Sequence, residues 1–474
     1  MSRRAEVADQ ARAVAAAWSP PDAPASWWLT ADTLTAIAED DVLLDLAAEV
    51  PTDRLPALLL SAAIRRRVAE VAAHPLATYY PHPGGPQPPR DDGFRPALRG
   101  FAVAEQEALR RLCARHRYQM NEVGRCLDVL PALALVTSDD PRPLALVDLG
   151  TGAGLGLHLD RYRYTYRLAD GDITDGDIHT GDAGSTVALS CDVRRGRPPV
   201  GDPLIGSRVG VDSEPLDLAD PSTAAWLAAC VPPEAGAVTR FAAAAAVARA
   251  DPAPMVRGDL VDVLPQVVAR VPPDELLCLV DTYVHVFLPP PELARFTALV
   301  DEIGRERDVE WISVDPLVPL GPHATTTVQG LAVPPGWLAD NRDGGVFGVI
   351  GRVSIRAGLR TDTLLDARTP GPPGSSGRLR ERASRAQHRG PAGGPGERIA
   401  HGVRHRLLRA PLEQAFGRVG SGVGAHDVPR SPGPLDHPQP AVDDRPEGVD
   451  ENLVCGGSPL ERLRIIVPVG NVVH

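Results

Sequence analysis

The stretch Leu144-Ala-Leu-Val-Asp-Leu-Gly-Thr-Gly-Ala-Gly-Leu-Gly156 decides the fold class. An apolar run broken only by Asp148 predicts a short buried parallel strand over Leu144–Leu149. Glycine then recurs at Gly150, Gly152, Gly154 and Gly156, which predicts a tight turn leading into a helix. A strand ending in such a turn lets a ligand approach backbone at the carboxyl edge of an open α/β sheet. The dinucleotide fingerprint requires glycines at relative positions one, three and six. Starting from Gly150, Gly152 or Gly154, the sixth position is Leu155, Leu157 or Leu159, so the fingerprint fails in every register. A ligand-free turn between strand and helix fits the same residues.

Composition bounds what such a site can be. The 474 residues allow two or three domains, at roughly 150 residues each. The chain contains no lysine, so all 49 of its basic side chains are arginine. That excludes a Schiff base with pyridoxal phosphate and a Walker A lysine. A net charge of −12, with no basic cluster interleaved with aromatics, argues against nucleic acid as a partner. The six cysteines form no Cys-x-x-Cys pair and read as reduced core thiols of a cytosolic protein. No apolar leader opens the chain, and no apolar run reaches the roughly 18 residues that span a membrane. The expectation is a soluble, cytoplasmic protein without a membrane partner. Nothing in the sequence reports its oligomeric state.

Three regions follow. Residues 1–130 read as a helical cap, with helical periodicity over Thr30–Glu39, Pro56–Ala73, Phe94–Cys113 and Asn121–Val136. The Pro/Gly-rich passage Tyr79–Arg90 interrupts them as an extended loop. Residues 131–370 alternate strand and helix, as a parallel sheet requires. Strands are expected at Ser207–Asp212, Leu276–Asp281, Val309–Val314 and Val346–Ile355. Helices are expected at Thr223–Cys230, Ala235–Ala250, Leu260–Arg270 and Pro291–Arg305. Within this region, 162–203 alternates like an inserted hairpin. Residues 371–474 hold 30 Gly plus Pro in 104 positions, against 64 in the preceding 370. Such a composition predicts a disordered, low-complexity tail. Its arginine bias also suits an out-of-frame extension of a GC-rich gene.

Two resemblances sharpen this picture. Asp148, Gly150, Gly152 and Gly154 give acid-x-Gly-x-Gly-x-Gly, which looks like the first motif of class I S-adenosylmethionine methyltransferases. From about Leu76 to Pro370 the chain also resembles the uncharacterised bacterial domain-of-unknown-function family 2332 (DUF2332). That likeness rests on Tyr79-Tyr-Pro-His-Pro-Gly-Gly, Asp92-Gly-Phe-Arg-Pro-Ala-Leu, Asn121-Glu-Val-Gly-Arg, Asp160-Arg-Tyr-Arg-Tyr and Pro215-Leu-Asp-Leu-Ala-Asp-Pro. Together they imply an α/β fold: a Rossmann-like sheet of the class I methyltransferase type with a helical N-terminal cap. They imply S-adenosyl-L-methionine as cofactor and no established reaction.

The resemblance assigns candidate residues, each with a structural alternative. Asp148, Gly150, Thr151, Gly152 and Gly154 would hold the amino-acid part of the cofactor. Asp212, with Glu214 as fallback, would accept the ribose hydroxyls, or would cap a helix. Asp259 would read adenine, cap the helix beginning at Leu260, or do both. Asp281, Thr282 and His285 close the fourth strand, where a carboxylate or imidazole could deprotonate a methyl acceptor. His285 fits equally as a packed histidine, and the Asn/Asp-Pro-Pro-Tyr signature of many N-methyltransferases is absent. Asn121 and Arg125 share a face if helical, and with Glu122 they would bind substrate or the cofactor carboxylate, or form an ion-pair network. Arg161 and Tyr162 would close the pocket or pack. The acidic loop from Asp170 to Asp182 has Asp175 and Gly181 where an EF-hand needs glycine and glutamate, so no metal is expected there. The leading expectation is methyl transfer to a small-molecule acceptor. A non-catalytic nucleotide-binding or regulatory module of the same fold is the alternative, and an NAD-type oxidoreductase stands third.

Overall fold

The computed structural model describes residues 2–367 except 20–26, 52–53, 72, 82–87, 120, 169–175, 194–196, 234, 286–287, 317–326, 329–330 and 333–347; beyond these it describes only the short strand pieces 382–383, 386–388 and 399–402. Expectations for the tail therefore lie largely outside the described residues. The same holds for parts of the Pro/Gly-rich passage and of the acidic loop.

Six helices come first: α1 (Arg3–Ala17), α2 (Trp28–Glu39), α3 (Asp41–Ala48), α4 (Pro56–Glu70), α5 (Phe94–Ala104) and α6 (Gln106–Arg115). Side-chain oxygens start two of them. Ser2 accepts from the Ala5 amide, and Asp40 accepts from the amides of Val42 and Leu43. Pro56 opens α4, where its missing N–H costs nothing. The single helix expected over Phe94–Cys113 is two, broken at Glu105. These helices share one core, including Trp18, Trp27, Ile37, Leu59, Phe94 and Phe101.

After the one-turn 3-10 segment Val123–Arg125 comes α7 (Cys126–Asp139), then the sheet. Its elements are β1 (Leu144–Leu149), β2 (Arg163–Leu168), β3 (Ile178–Gly181), β4 (Ala188–Val193), β5 (Ile205–Asp212), α8 (Pro221–Cys230), α9 (Ala235–Ala250), β6 (Met255–Arg257), α10 (Leu260–Val268), β7 (Leu276–Thr282), α11 (Pro290–Glu306), β8 (Val309–Pro316), the short pair β9 (Thr327–Val328) and β10 (Leu331–Ala332), β11 (Gly348–Arg356) and β12 (Leu359–Ala367). The central sheet runs β12-β11-β8-β7-β1-β5-β6. From β8 to β6 all neighbours are parallel, and β11 and β12 close the other side antiparallel. The fold is mixed α/β with a mostly parallel sheet.

Period-two alternation puts the two faces of each strand into different cores. Leu144 and Leu146 of β1, Cys278 and Val280 of β7, and Ile312 and Val314 of β8 pack with α7 and α9. Val147, Leu149, Leu277, Leu279 and Trp311 pack on the other face with Leu264 of α10 and Phe296 of α11. Each fully buried aliphatic side chain stabilises by about 1.5–3 kcal/mol. This explains why β1, buried at every position, reads as a continuous apolar run.

Residues 162–203 correct the expected hairpin. β2 and β4, which alternate as anticipated, pair parallel to each other, while β3 lies antiparallel on the other edge of β2. Alternation marks strands but does not fix their direction. Tyr162, Tyr164 and Tyr166 point from one side into the core, fully buried, with hydroxyls donating to the carbonyls of Leu155 (2.6 Å), Leu159 (2.5 Å) and Leu127 (2.9 Å). A buried phenol needs such a partner. The helical region is joined to the sheet through α8, whose Trp226 and Cys230 belong to the N-terminal core. There Trp226 Nε1 donates to the Arg117 carbonyl (2.9 Å), Tyr118 to that of Cys230 (3.1 Å) and Arg65 Nε to that of Ala229 (2.6 Å).

Candidate functional site

Strand order reverses between β1 and β7: the chain builds outward through β5 and β6 on one side, then through β7 and β8 on the other. Crevices at such a reversal are where open α/β sheets take ligands. Three neighbouring strands bring a carboxylate to this carboxyl edge: Asp148 on β1, Asp212 on β5 and Asp281 on β7.

The glycine loop is tied inward along its length. The amides of Gly150 and Thr151 both donate to the Val211 carbonyl (2.8 and 3.2 Å). The Gly152 amide donates to Asp212 Oδ2 (2.9 Å), that of Ala153 to Asn121 Oδ1 (3.0 Å) and that of Gly154 to the Thr151 carbonyl (2.9 Å). Five successive N–H groups are thereby occupied within the protein. Gly150, Gly152 and Gly154 all have positive φ. At Gly150 (φ +68°) a Cβ would lie 2.4 Å from Val284 Cγ2, and at Gly152 (φ +58°) it would lie 2.6 Å from Asn121 Oδ1. Close approach of side chains from just beyond β7 and from the segment before α7 is thus one reason these positions are glycine. Gly150→Ala is expected to destabilise the fold by about 1–3 kcal/mol, from the strained backbone and the contact with Val284. Gly100→Ala, within α5 and with nothing near its added Cβ, is expected to be neutral or to stabilise by about 0.5–1 kcal/mol. Thermal melts of the two variants check this; equal melting temperatures would remove the loop argument.

The helix expected after the loop is only a 3-10 turn, Leu155–Arg161, interrupted at His158. Asp148 is buried and accepts the Thr151 hydroxyl (2.7 Å). Burial pushes its pKa up to about 7; the Thr151 bond works against this, and the charges of Asp212 and Asp281 reinforce it. Asp212 is half-buried and accepts from two amides, those of Gly152 and Glu214 (2.8 Å). Glu214 is exposed. Asp259 caps α10 through the Val261 amide (3.0 Å), two residues beyond β6. The strand β6 itself, only three residues long, was not expected from the sequence.

Asp281 is fully enclosed. It accepts the amides of Val284 (2.9 Å) and His285 (3.2 Å) and makes a short contact with His285 Nδ1. His285 is buried with its ring edge-on to Trp311, centroids 5.1 Å apart. Thr282 ends β7, and its carbonyl accepts Arg125 Nη1 (3.3 Å). The next residue, Tyr283, is one that sequence reading missed: it holds a left-handed φ of +63°, its amide donates to the Val314 carbonyl (3.0 Å), and its ring lies under the Arg125 guanidinium at 4.8 Å. Only the tertiary fold reveals it, although its place just past an edge-forming strand was visible.

Other candidates are corrected. Asn121 and Arg125 do not share a helix face, because α7 begins at Cys126 and Asn121 lies in the extended entry. The two nonetheless meet the site from one side, Asn121 on the loop and Arg125 on β7. Glu122 caps the 3-10 turn by accepting the Gly124 amide (2.8 Å). Arg161 is exposed and pairs with Asp251 (2.5 Å). Tyr162 is a core residue, its hydroxyl held by Leu155, and cannot close a pocket.

A family model for uncharacterized proteins conserved in bacteria, DUF2332, matches residues 4–332. The chain belongs to DUF2332. The matched span of this DUF2332 protein takes in the helical region, the parallel strands and the glycine loop together. No curated protein matches it. Similar solved structures include a possible exported protein from Bordetella parapertussis, at 14% identity and a TM-score of 0.23 over 72% of this chain and 81% of that one. SCL7 from Oryza sativa is similar at 15% identity and a TM-score of 0.20, over 67% of this chain and 64% of that one. Scores this low carry no argument about fold or site. Among the described residues no helix is long and apolar enough to cross a membrane. Among them, too, no three His, Cys, Asp or Glu side chains gather as metal ligands.

Proposed function

We propose that this DUF2332 protein is a Rossmann-like, S-adenosylmethionine-dependent methyltransferase acting on a small molecule, with its cofactor at the β1–β5–β7 carboxyl edge. The observation that carries the reading is the occupied loop beside an acidic edge. A dinucleotide needs free loop amides and a helix N-terminus for its diphosphate. Here the amides of residues 150–154 are all bonded within the protein, and Asp148, Asp212 and Asp281 would repel a phosphate. A cofactor that has no phosphate and carries positive charge fits both facts.

When bound, S-adenosylmethionine supplies an electrophilic methyl group. In this reading Asp212 accepts the ribose hydroxyls with the lone pairs its two amide bonds leave open. Asp259 contacts the base edge while still capping α10, and Glu214 remains the fallback for the ribose. Asp148, Gly150, Thr151, Gly152 and Gly154 shape the methionine end. Asn121 and Glu122 hold the loop and its entry. Methyl transfer needs alignment more than covalent help, and Asp281 would orient His285 as base for an acceptor positioned over Thr282.

The non-catalytic module is favoured by one observation: Asp281 and His285 are tied to each other and buried. Calorimetry with S-adenosylmethionine, S-adenosylhomocysteine and NAD tests both readings. Binding of the two sulfur compounds but not NAD, lost in Asp148→Ala and Gly152→Leu, is the expected result. Binding of NAD alone, or of none, overturns the cofactor assignment. Cofactor binding without any labelled-methyl transfer to candidate acceptors would leave the module.

A further inference from the structure

Arg65 of α4 lies half-buried at the seam where the helical region meets α8. Its Nε donates to the Ala229 carbonyl in the last turn of α8 (2.6 Å), which uses one of the five N–H groups of a guanidinium. Among the described residues Arg65 bonds no carboxylate. Glu70 of the same helix pairs with Arg66 and Arg67 instead. Glu122, whose charge reaches Tyr118, accepts the Gly124 amide.

Two phenols flank the guanidinium. Tyr118 gives its one proton to the Cys230 carbonyl (3.1 Å), so toward Arg65 its oxygen can only accept, and it braces the side chain. Tyr80 differs. Its hydroxyl is buried with no hydrogen-bond partner among the described residues, with Thr33 and Arg65 beside it. The Thr33 proton is already committed to the Leu29 carbonyl (2.7 Å). Burial pushes the Tyr80 pKa up to about 12 against the pull of the Arg65 charge, so the group stays a neutral donor. A buried phenol ordinarily has an acceptor. A cation without a carboxylate, next to a donor without an acceptor, is complementary to an anionic oxygen group. One guanidinium balances one charge, which favours a carboxylate over a dianionic phosphate.

The seam also adjoins the sheet edge. Tyr118 precedes by three residues Asn121, which accepts the Ala153 amide of the glycine loop (3.0 Å). Chain geometry keeps those two Cα atoms within about 11 Å. We infer that Arg65 and Tyr80 bind the carboxylate of a small molecule, with Tyr118 and the end of α8 holding Arg65 in place. Resting on the proposed function, that molecule is the methyl acceptor, which is thereby a carboxylic acid.

Ligand-observed NMR on the full chain, at constant ionic strength, compares benzoate, its uncharged analogue benzamide, and inorganic phosphate. Wild type is expected to take benzoate about tenfold more tightly than either of the others, the worth of a charge-assisted hydrogen bond. Tyr80→Phe should melt no lower than wild type, because it deletes a buried hydroxyl that has no partner, yet it should weaken benzoate about tenfold. Arg65→Met should abolish the preference for benzoate over benzamide. Arg65→Lys, which keeps the charge and serves if the methionine variant does not fold, should retain part of it. The inference is overturned by equal binding of benzoate and benzamide, by phosphate binding more tightly than benzoate, by no binding of any probe, or by a benzoate affinity that Tyr80→Phe leaves unchanged. S-adenosylhomocysteine, titrated beside these probes, separates the two readings. If it binds and benzoate does not, the carboxylate site falls and the cofactor reading stands. If benzoate behaves as expected and S-adenosylhomocysteine does not bind, the carboxylate site stands and the cofactor reading falls.

Discussion

Glu310→Ala is expected to destabilise the folded chain by about 3–5 kcal/mol, the range seen when one partner of a buried ion pair is removed. Glu310 lies near the start of β8 and is fully buried. Its carboxylate accepts Arg352 Nε (2.9 Å) and Nη2 (3.0 Å), the Ser354 hydroxyl (2.8 Å) and Arg356 Nη2 (2.6 Å). Arg352 Nη1 continues to Asp139 at the end of α7 (2.8 Å), so one carboxylate joins the antiparallel strand β11 to the parallel sheet and its covering helix. Burial works to lower the Arg352 pKa, yet its bonds to Glu310 and Asp139 hold it above the usual value. Without Glu310, the two guanidinium groups would keep as counter-charges only Asp139, on Arg352, and Asp140, 3.8 Å from Arg356. The triple replacement Glu310→Leu, Arg352→Met, Arg356→Leu should cost far less, because the desolvation penalty disappears along with the charges. Urea unfolding measures both. A loss below about 1 kcal/mol for Glu310→Ala, or an equal loss in the triple variant, would show that the network is not what holds β11 in place.

That network lies at the end of the sheet opposite the glycine loop, and the contrast explains what the sequence made legible. β1 and the helix Ala235–Ala250 have the bounds that periodicity assigns, because burial on both faces, or a long alanine-rich run, leaves a local signature. Asp148 and the loop glycines were visible for the same reason. The partners of the loop were not. Met255 and Val284 arrive from β6 and from beyond β7, and they meet it only through strand order. Asp259 was legible as a cap, since an aspartate before an apolar helix announces one whether or not it also faces a ligand. Asn121 meets the glycine loop from extended chain, not from the helix face that its spacing to Arg125 predicts. The small sheet β2–β4 failed as a hairpin because side-chain alternation is blind to strand direction.

Asp148 gives the second large effect. Its ordinary unfolded pKa is about 3.9, whereas burial raises the folded value to about 7. Between these values the folded chain holds a proton that the unfolded chain has released. Stability therefore falls as pH rises through this window, with a slope of about 1.4 kcal/mol per unit for one proton. Below about pH 4 and above about pH 7 the contribution is flat, because both states carry the same charge. Asp148→Asn keeps an acceptor for the Thr151 hydroxyl and cannot ionise. Relative to wild type it should gain stability steadily from pH 4 to 7 and hold that gain at pH 8. Thr151→Val removes the hydrogen bond that favours the carboxylate, so it should move the midpoint higher. Asp212→Asn, which removes a neighbouring negative charge, should move it lower. Denaturant unfolding across pH, with carbon-13 titration of the Asp148 carboxyl, reads both the slope and the midpoint. A stability difference between wild type and Asp148→Asn that does not vary with pH would mean the carboxyl is ionised throughout. If a cationic ligand binds at this edge, it should expel the Asp148 proton, so its affinity should rise over the same window in which the free fold weakens.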